Sequence, residues 1–381
     1  MQTERLKLLF NSYKEASLFG RYIHTDSIIN LLENSDLKPF VNRVGRSVNN
    51  ENIYSITLGS GSKKILMWSQ MHGNESTTTK AVFDMLNVLL ASEAISKSIL
   101  ETCTLKIIPI LNPDGAKAYT RLNANNVDLN RDAQELSQPE SNVLREVFDS
   151  FKPDYCFNLH GQRTIFSAGD TRNSATVSFL APAQDDNCTI TDTRKVAMEI
   201  ISVMHSQLQQ QIPNQIGIYD DAFNINCVGD TFQRFNVPTV LFEAGHFSND
   251  YNREITREFI FQSLLVAIQY ISENIITGSK YEDYFKIPEN KKLFYDIIIR
   301  NTATASRDIG IQFTEKLINH TIHFVPKVEK ISDLSAFFAH KVIDARGSEV
   351  LTIDGEIVLE GSENDFVSIN NEKSSLKLKN N

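Results

Sequence analysis

Ile65-Leu66-Met67-Trp68-Ser69-Gln70-Met71-His72-Gly73-Asn74-Glu75 is an apolar run that ends in a burst of chemically capable side chains. The run from Ile65 to Gln70 reads as a buried strand. His72 and Glu75 then lie three apart at a strand-to-helix turn, so both side chains converge if the chain begins to coil at Gly73. The pattern recurs along the chain. Leu105-Lys106-Ile107-Ile108-Pro109-Ile110-Leu111 leads into Asn112-Pro113-Asp114-Gly115, Tyr155-Cys156-Phe157 leads into Asn158-Leu159-His160-Gly161, and Thr239-Val240-Leu241-Phe242 leads into Glu243. In open α/β sheets, ligands bind beyond the carboxyl ends of the strands, where loops from several strands meet. Recurrence at four strand ends is hard to obtain from packing alone, and it predicts an α/β protein with one site at that edge.

Two imidazoles and a carboxylate, His72, His160 and Glu75, form a ligand set for a catalytic zinc, which takes three protein ligands and leaves its fourth position to solvent. A lone His-x-x-Glu recurs by chance, so the weight rests on its context.

In order, His72-Gly73-Asn74-Glu75, Asn112-Pro113-Asp114-Gly115, Arg121, Val127-Asp128-Leu129-Asn130-Arg131, His160 and Glu243 resemble the motifs of the zinc carboxypeptidases related to carboxypeptidase A. The resemblance spans 42–276. It implies a mixed central β-sheet flanked by helices, one zinc ion per chain held by His72, Glu75 and His160, and Glu243 as general base. It also implies that Asn130 and Arg131 grip the substrate's terminal carboxylate and that Arg121 polarises the scissile carbonyl. Tyr219, in Gly217-Ile218-Tyr219-Asp220, lies upstream of Glu243 at a distance similar to the family's substrate-covering tyrosine.

The chemistry also follows from the residues. Such a zinc ion lowers the pKa of its water toward ~7 and draws electron density from a carbonyl oxygen. A carboxylate such as Glu243 within reach of that water takes its proton and returns it to the leaving amine. A fixed guanidinium, Arg121, stabilises the oxyanion where charge develops, and Arg131 suits a free carboxylate through paired charge-assisted hydrogen bonds. His246 is expected in a supporting hydrogen bond or at the surface. His320 and His323, three apart in an apparent strand, point to opposite faces and carry no metal.

The 381 residues, 41% hydrophobic and 22% charged, suit one large α/β domain and a smaller one. No apolar stretch approaches the ~20 residues of a membrane helix, and the charged start Met1 to Lys7 has no secretory pattern, so a cytoplasmic location is expected. A net charge of −9 without a basic stripe argues against nucleic acid. The four cysteines form no Cys-x-x-Cys pair, and Cys103 and Cys156 read as small core residues.

Walking the chain, helices are expected over Thr3–Leu18, within His24–Leu37, and over Thr77–Leu90, 192–211 and 253–276. A hairpin at the sheet edge is expected within 42–58. Ser137-Gln138-Pro139-Glu140 has the form of a capping box with Ser137 as N-cap. The domains are expected at 1–276 (catalytic), 277–288 (linker) and 289–381 (a small β-rich domain with a hairpin at Asp354-Gly355 and a frayed tail from Asn371).

The leading function is hydrolysis of a peptide bond next to a free C-terminal carboxylate. The runner-up is an N-acyl amino acid amidohydrolase of the succinylglutamate desuccinylase and aspartoacylase type, and a third reading is a non-catalytic binding protein. Oligomeric state and side-chain preference are not legible.

Overall fold

The computed structural model describes residues 2–34, 36–91, 93–303 and 307–378, which divide into two compact units. The first comprises 1–162 with 175–290, the second 163–174 with 291–381. The chain runs α1 (Thr3–Tyr13), α2 (Thr25–Leu32), β1 (Val41–Arg46), β2 (Asn52–Leu58), β3 (Lys63–Ser69), α3 (Thr77–Leu90), α4 (Ala94–Thr102), β4 (Cys103–Ile108) and α5 (Pro113–Ala118). There follow α6 (Pro139–Phe151), β5 (Tyr155–Gly161), β6 (Phe166–Ala168), β7 (Val177–Leu180), α7 (Asp192–Leu208), β8 (Ile216–Ile218), α8 (Val228–Arg234), β9 (Thr239–Ala244) and α9 (Glu254–Glu273).

The first unit is built on an eight-stranded mixed sheet of order β1-β2-β4-β3-β5-β9-β7-β8. The four apolar runs of the sequence are its adjacent central strands, β4, β3, β5 and β9, all parallel. The expected hairpin is the edge pair β1–β2. Successive side chains of a strand point to opposite faces, and two cores result. Ile65, Met67, Phe157, Leu159, Val240 and Phe242 pack with α1, α3, α7 and α9. Leu66, Trp68 and Cys156 pack on the other face with α6 and α8, where Trp68 meets Phe232 edge-on at 5.4 Å.

Several local expectations are corrected. Pro139 starts α6 with Gln138 as N-cap, because proline's fixed φ suits the first helical position. Ser137 binds Asp132 instead, and Glu140 is taken by the backbone of Val48 and the side chain of Asn123. The segment read as a linker contains the 3₁₀ turn Tyr281–Lys286 with Tyr284 buried, and it belongs to the first unit.

In the second unit, β10 (Asn290–Lys292) pairs with β6, and β11 (Phe294–Arg300), β12 (Asp308–Ile318), β13 (Thr321–Ser332) and β14 (Phe338–Asp344) form a sheet of order β13-β12-β11-β14. A small sheet of β15 (Val350–Leu351), β16 (Phe366–Ile369) and β17 (Glu372–Ser375) shares its core of Ile297, Ile299, Ile311, Val350 and Val367. His320 sits in the β12–β13 turn at φ +62°, not in a strand. Asp354-Gly355 makes a turn with one bridge, Leu351 to Ile357, while the main partner of β15 is β16. The tail expected to fray holds β17, and residues 379–381 lie outside the described residues.

A buried charge network joins α3 to α9. Arg257 binds both oxygens of Asp84 at 2.6 Å, and Glu254 accepts from Arg257, Lys80 and Lys14. Burial raises the Glu254 pKa, but Lys80, Lys14 and Arg257 outweigh it and hold it down at about 2. A depressed carboxylate contributes stability above its unfolded pKa and loses it as pH falls toward the folded one. Glu254→Gln is therefore expected to cost about 3 kcal/mol in denaturant unfolding at neutral pH. The gap from the native protein should be flat above the ordinary glutamate range and should shrink as pH falls from there toward about 2.

Candidate metal centre and active site

The turn after β3 brings His72 and Glu75 together through backbone geometry. Glu75 N–H donates to His72 O at 3.1 Å, so the chain coils at Gly73, and α3 follows. A Cβ at Gly73 would stand 2.0 Å from the carbonyl carbon of Gly115, so only glycine fits there. His72 Nδ1 lies 2.9 Å from Glu75 Oε1, His160 Nδ1 lies 2.9 Å from Glu75 Oε2, and the two Nδ1 atoms are 3.1 Å apart. Among the described residues, this is the group of three or more His, Cys, Asp and Glu whose ligand atoms lie within 4.8 Å of one another. Two nitrogen lone pairs and a carboxylate facing one point fit a divalent ion of borderline softness such as zinc.

His160 and Glu243 are direct partners in the parallel ladder of β5 and β9. Their neighbours Leu159 and Phe242 belong to the α3/α9 core, so both side chains project to the opposite, α6/α8 face. Glu243 Oε2 is buried and has no hydrogen-bond partner among the described residues. Burial, then the Glu75 charge, pushes the Glu243 pKa well up. Burial alone would raise Glu75, yet His72 and His160 hold it well below the carboxylate range. For His72, burial works downward and is outweighed by Glu75 and Asp128, so its pKa is raised, whereas burial wins at His160 and lowers it.

Asp128 lies within Val127-Asp128-Leu129-Asn130-Arg131, and its role appears only in the fold. Its Oδ1 lies 3.0 Å from His72 Nε2 and accepts the Asn130 N–H at 2.9 Å, and its Oδ2 binds Arg121 at 3.0 Å. By engaging Nε2 it leaves Nδ1 free to face the cluster. Nothing local signals this partner, which is 56 residues from His72. Arg253, at the start of α9, is a second such residue. Its buried guanidinium donates to Ala244 O and Gln162 O, both at 2.9 Å, and so ties together the ends of the strands that carry Glu243 and His160.

The other expected residues are placed as follows. Arg121 also lies 3.5 Å from Glu75 Oε1, at the rim of the cluster. Asn130 Oδ1 accepts the Val228 N–H at 3.0 Å. Arg131 is exposed, donates to Asn130 O and contacts Cys227 Sγ at 3.2 Å, and forms no ion pair among the described residues. Tyr219 follows β8 directly, and burial together with the charges of Glu243 and Glu75 pushes its phenol pKa up. His246 is buried, with its ring 4.6 Å from that of Tyr251, and stands outside the cluster.

Residues 34–152 match the family model described as zinc carboxypeptidase. "Probable carboxypeptidase 2" of Trichophyton verrucosum is 31% identical over 112 residues, which is 29% of this chain and 21% of that protein. The chain thus spans about a fifth of the length of that curated relative. A solved carboxypeptidase A candidate from Shewanella denitrificans superposes with a TM-score of 0.56 at 19% identity, over 65% of this chain and 69% of that one. A metallo-carboxypeptidase from Pseudomonas aeruginosa gives 0.51 at 17% identity, over 64% and 68%. These likenesses show a shared fold. No helix among the described residues is long and apolar enough to cross a membrane.

Loss of the carboxylate that orients a metal-binding histidine typically weakens metal affinity about 10- to 100-fold. That fall is expected for zinc in Asp128→Ala, measured by competition with a chromogenic chelator, with the circular dichroism of the sheet unchanged.

Proposed function

We propose that this chain, whose residues 34–152 match the zinc carboxypeptidase family model, hydrolyses the peptide bond next to a free C-terminal carboxylate. The observation that carries the reading is the convergence of His72, Glu75 and His160 with Glu243 in register beside His160. In this reading those three side chains hold one zinc ion, which when bound polarises a carbonyl and makes water acidic. Glu243, whose Oε2 has no competing partner among the described residues, takes the proton of the attacking water and delivers it to the leaving amine. Arg121 stabilises the oxyanion, and its bonds to Asp128 hold the guanidinium in place beforehand.

Arg131 and Asn130 bind the substrate's carboxylate. Arg131 fits this task because it is exposed and forms no ion pair among the described residues. Asn130 is oriented at both ends, its N–H held by Asp128 and its Oδ1 by Val228, which leaves the amide nitrogen for the ligand. Tyr219 covers the bound residue, consistent with the effect of the Glu243 and Glu75 charges on its phenol.

Glu243→Gln is expected to keep wild-type zinc content while kcat falls by about 10²- to 10⁴-fold, since the amide keeps the shape but accepts no proton. Near-normal kcat on a confirmed substrate would remove Glu243 from the role of base.

Carboxylate recognition is tested by a cycle of two enzymes and two substrates. Amidating the terminal carboxyl, or Arg131→Ala, is expected to lower kcat/KM at least about 10-fold, because hydrogen bonds to charged groups are worth about 1.5–3 kcal/mol net. Both changes delete the same contact, so the second should add little to the first. Additive losses would end the exopeptidase reading, and a preference for N-acyl amino acids over peptides would redirect it to an amidohydrolase.

A further inference from the structure

Gln70 stands where β3 gives way to the turn that carries His72 and Glu75. It is fully buried, and its φ of +46° lies in the left-handed region that side chains with a Cβ rarely adopt. The sheet pattern still reaches it. Ser69 O accepts Leu111 N–H and Gln70 O accepts Asn112 N–H, both at 3.0 Å, so the chain leaves strand register at this residue and at once turns toward His72.

Its side chain folds back along that turn. Nε2 donates to Gly73 O at 2.7 Å and to Ile23 O at 3.0 Å, while Oε1 accepts from Thr79 Oγ1 at 2.8 Å. The entrance of the turn is thereby tied to its exit, at the residue between His72 and Asn74, and to the first turns of α3. The same polar layer extends toward the third ligand. Ser69 Oγ lies 2.7 Å from Thr78 Oγ1, which lies 3.4 Å from the carbonyl of Leu159, the residue before His160. Glycine fills a left-handed position at no steric cost. A glutamine there accepts the backbone strain and supplies an amide, which bonds the turn itself at Gly73, the start of α3 at Thr79 and the Ile23 carbonyl.

We propose that Gln70 is a positioning residue for the metal loop. Its amide holds the 70–75 turn in the one shape that aims His72 Nδ1 and the Glu75 carboxylate at a common point, so zinc affinity depends on a side chain that never touches the ion. The inference rests on the zinc reading above and adds a residue to it.

The test uses the full chain with Gln70→Gly and Gln70→Asn. Glycine keeps the left-handed turn without strain and removes the amide. Asparagine tolerates the left-handed region and keeps an amide one methylene too short to reach Gly73 and Thr79 together. Zinc dissociation constants are measured by chelator competition, the melting temperature on the metal-free proteins, and kcat and KM on the best peptide substrate. The zinc dissociation constant is expected to rise about 10- to 100-fold in Gln70→Gly and by less in Gln70→Asn, the range found when groups behind metal ligands are removed. KM at saturating zinc should stay within about twofold, because no substrate-binding group is changed. A lowered metal-free melting temperature with zinc affinity within about twofold of wild type in both variants would mark Gln70 as merely structural and overturn the inference. Failure of the wild-type protein to take up zinc would overturn the proposed function and this inference with it. Zinc uptake by the wild type with unaltered affinity in the variants overturns this one alone.

Discussion

The parallel register of β3, β5 and β9 is the constraint on which the site depends. Ser69 pairs with Leu159, and His160 pairs with Glu243, so the strand ends that carry His160 and Glu243 and lead to His72 finish level with one another. Because side chains alternate, a slip of one residue in β9 would bury Glu243 in the α3/α9 core and turn Phe242 to the face it now occupies. The apolar alternation that fills two cores thus also aims His160 and Glu243, and packing energy holds a geometry that the polar residues alone could not enforce. Arg253 adds a lock at the same edge by bonding one carbonyl from each strand end.

Acidic groups crowd that edge. Glu75, Asp128 and Glu243 bring three carboxylates close to two imidazoles whose Nδ1 atoms face each other at 3.1 Å. Burying carboxylates is costly unless they are paired, and the opposed directions in which Glu75 and Glu243 are pushed express that cost. Asp128 mediates between the parts, since one carboxylate fixes the tautomer of His72, holds Arg121 and caps the turn that presents Asn130 and Arg131.

The chain leaves the first unit just after His160. Residues 163–174 belong to the second unit, and the first resumes at Ala175, ahead of β7. The second unit has its own apolar core drawn from β11, β12, β13 and the short C-terminal strands, so the excursion joins a separately packed body.

The sequence by itself determined the strands, because four short apolar runs ending in polar bursts encode both burial and the place where the chain turns, and it singled out His72, Glu75 and His160 at such ends, the three side chains that the fold brings within 4.8 Å of one another. The Asp354-Gly355 turn was legible for the same reason: its chemistry is local. Tertiary structure alone decided the rest. Asp128 finds His72 across 56 residues, Glu140 leaves its own helix start for Val48 and Asn123, and Gln70 takes a left-handed backbone that no propensity assigns to glutamine. Periodicity and turn chemistry act between neighbours in the chain and can be read there. The partner of a buried polar group is chosen by which distant groups packing brings within hydrogen-bond distance, and that choice exists only once the chain has folded.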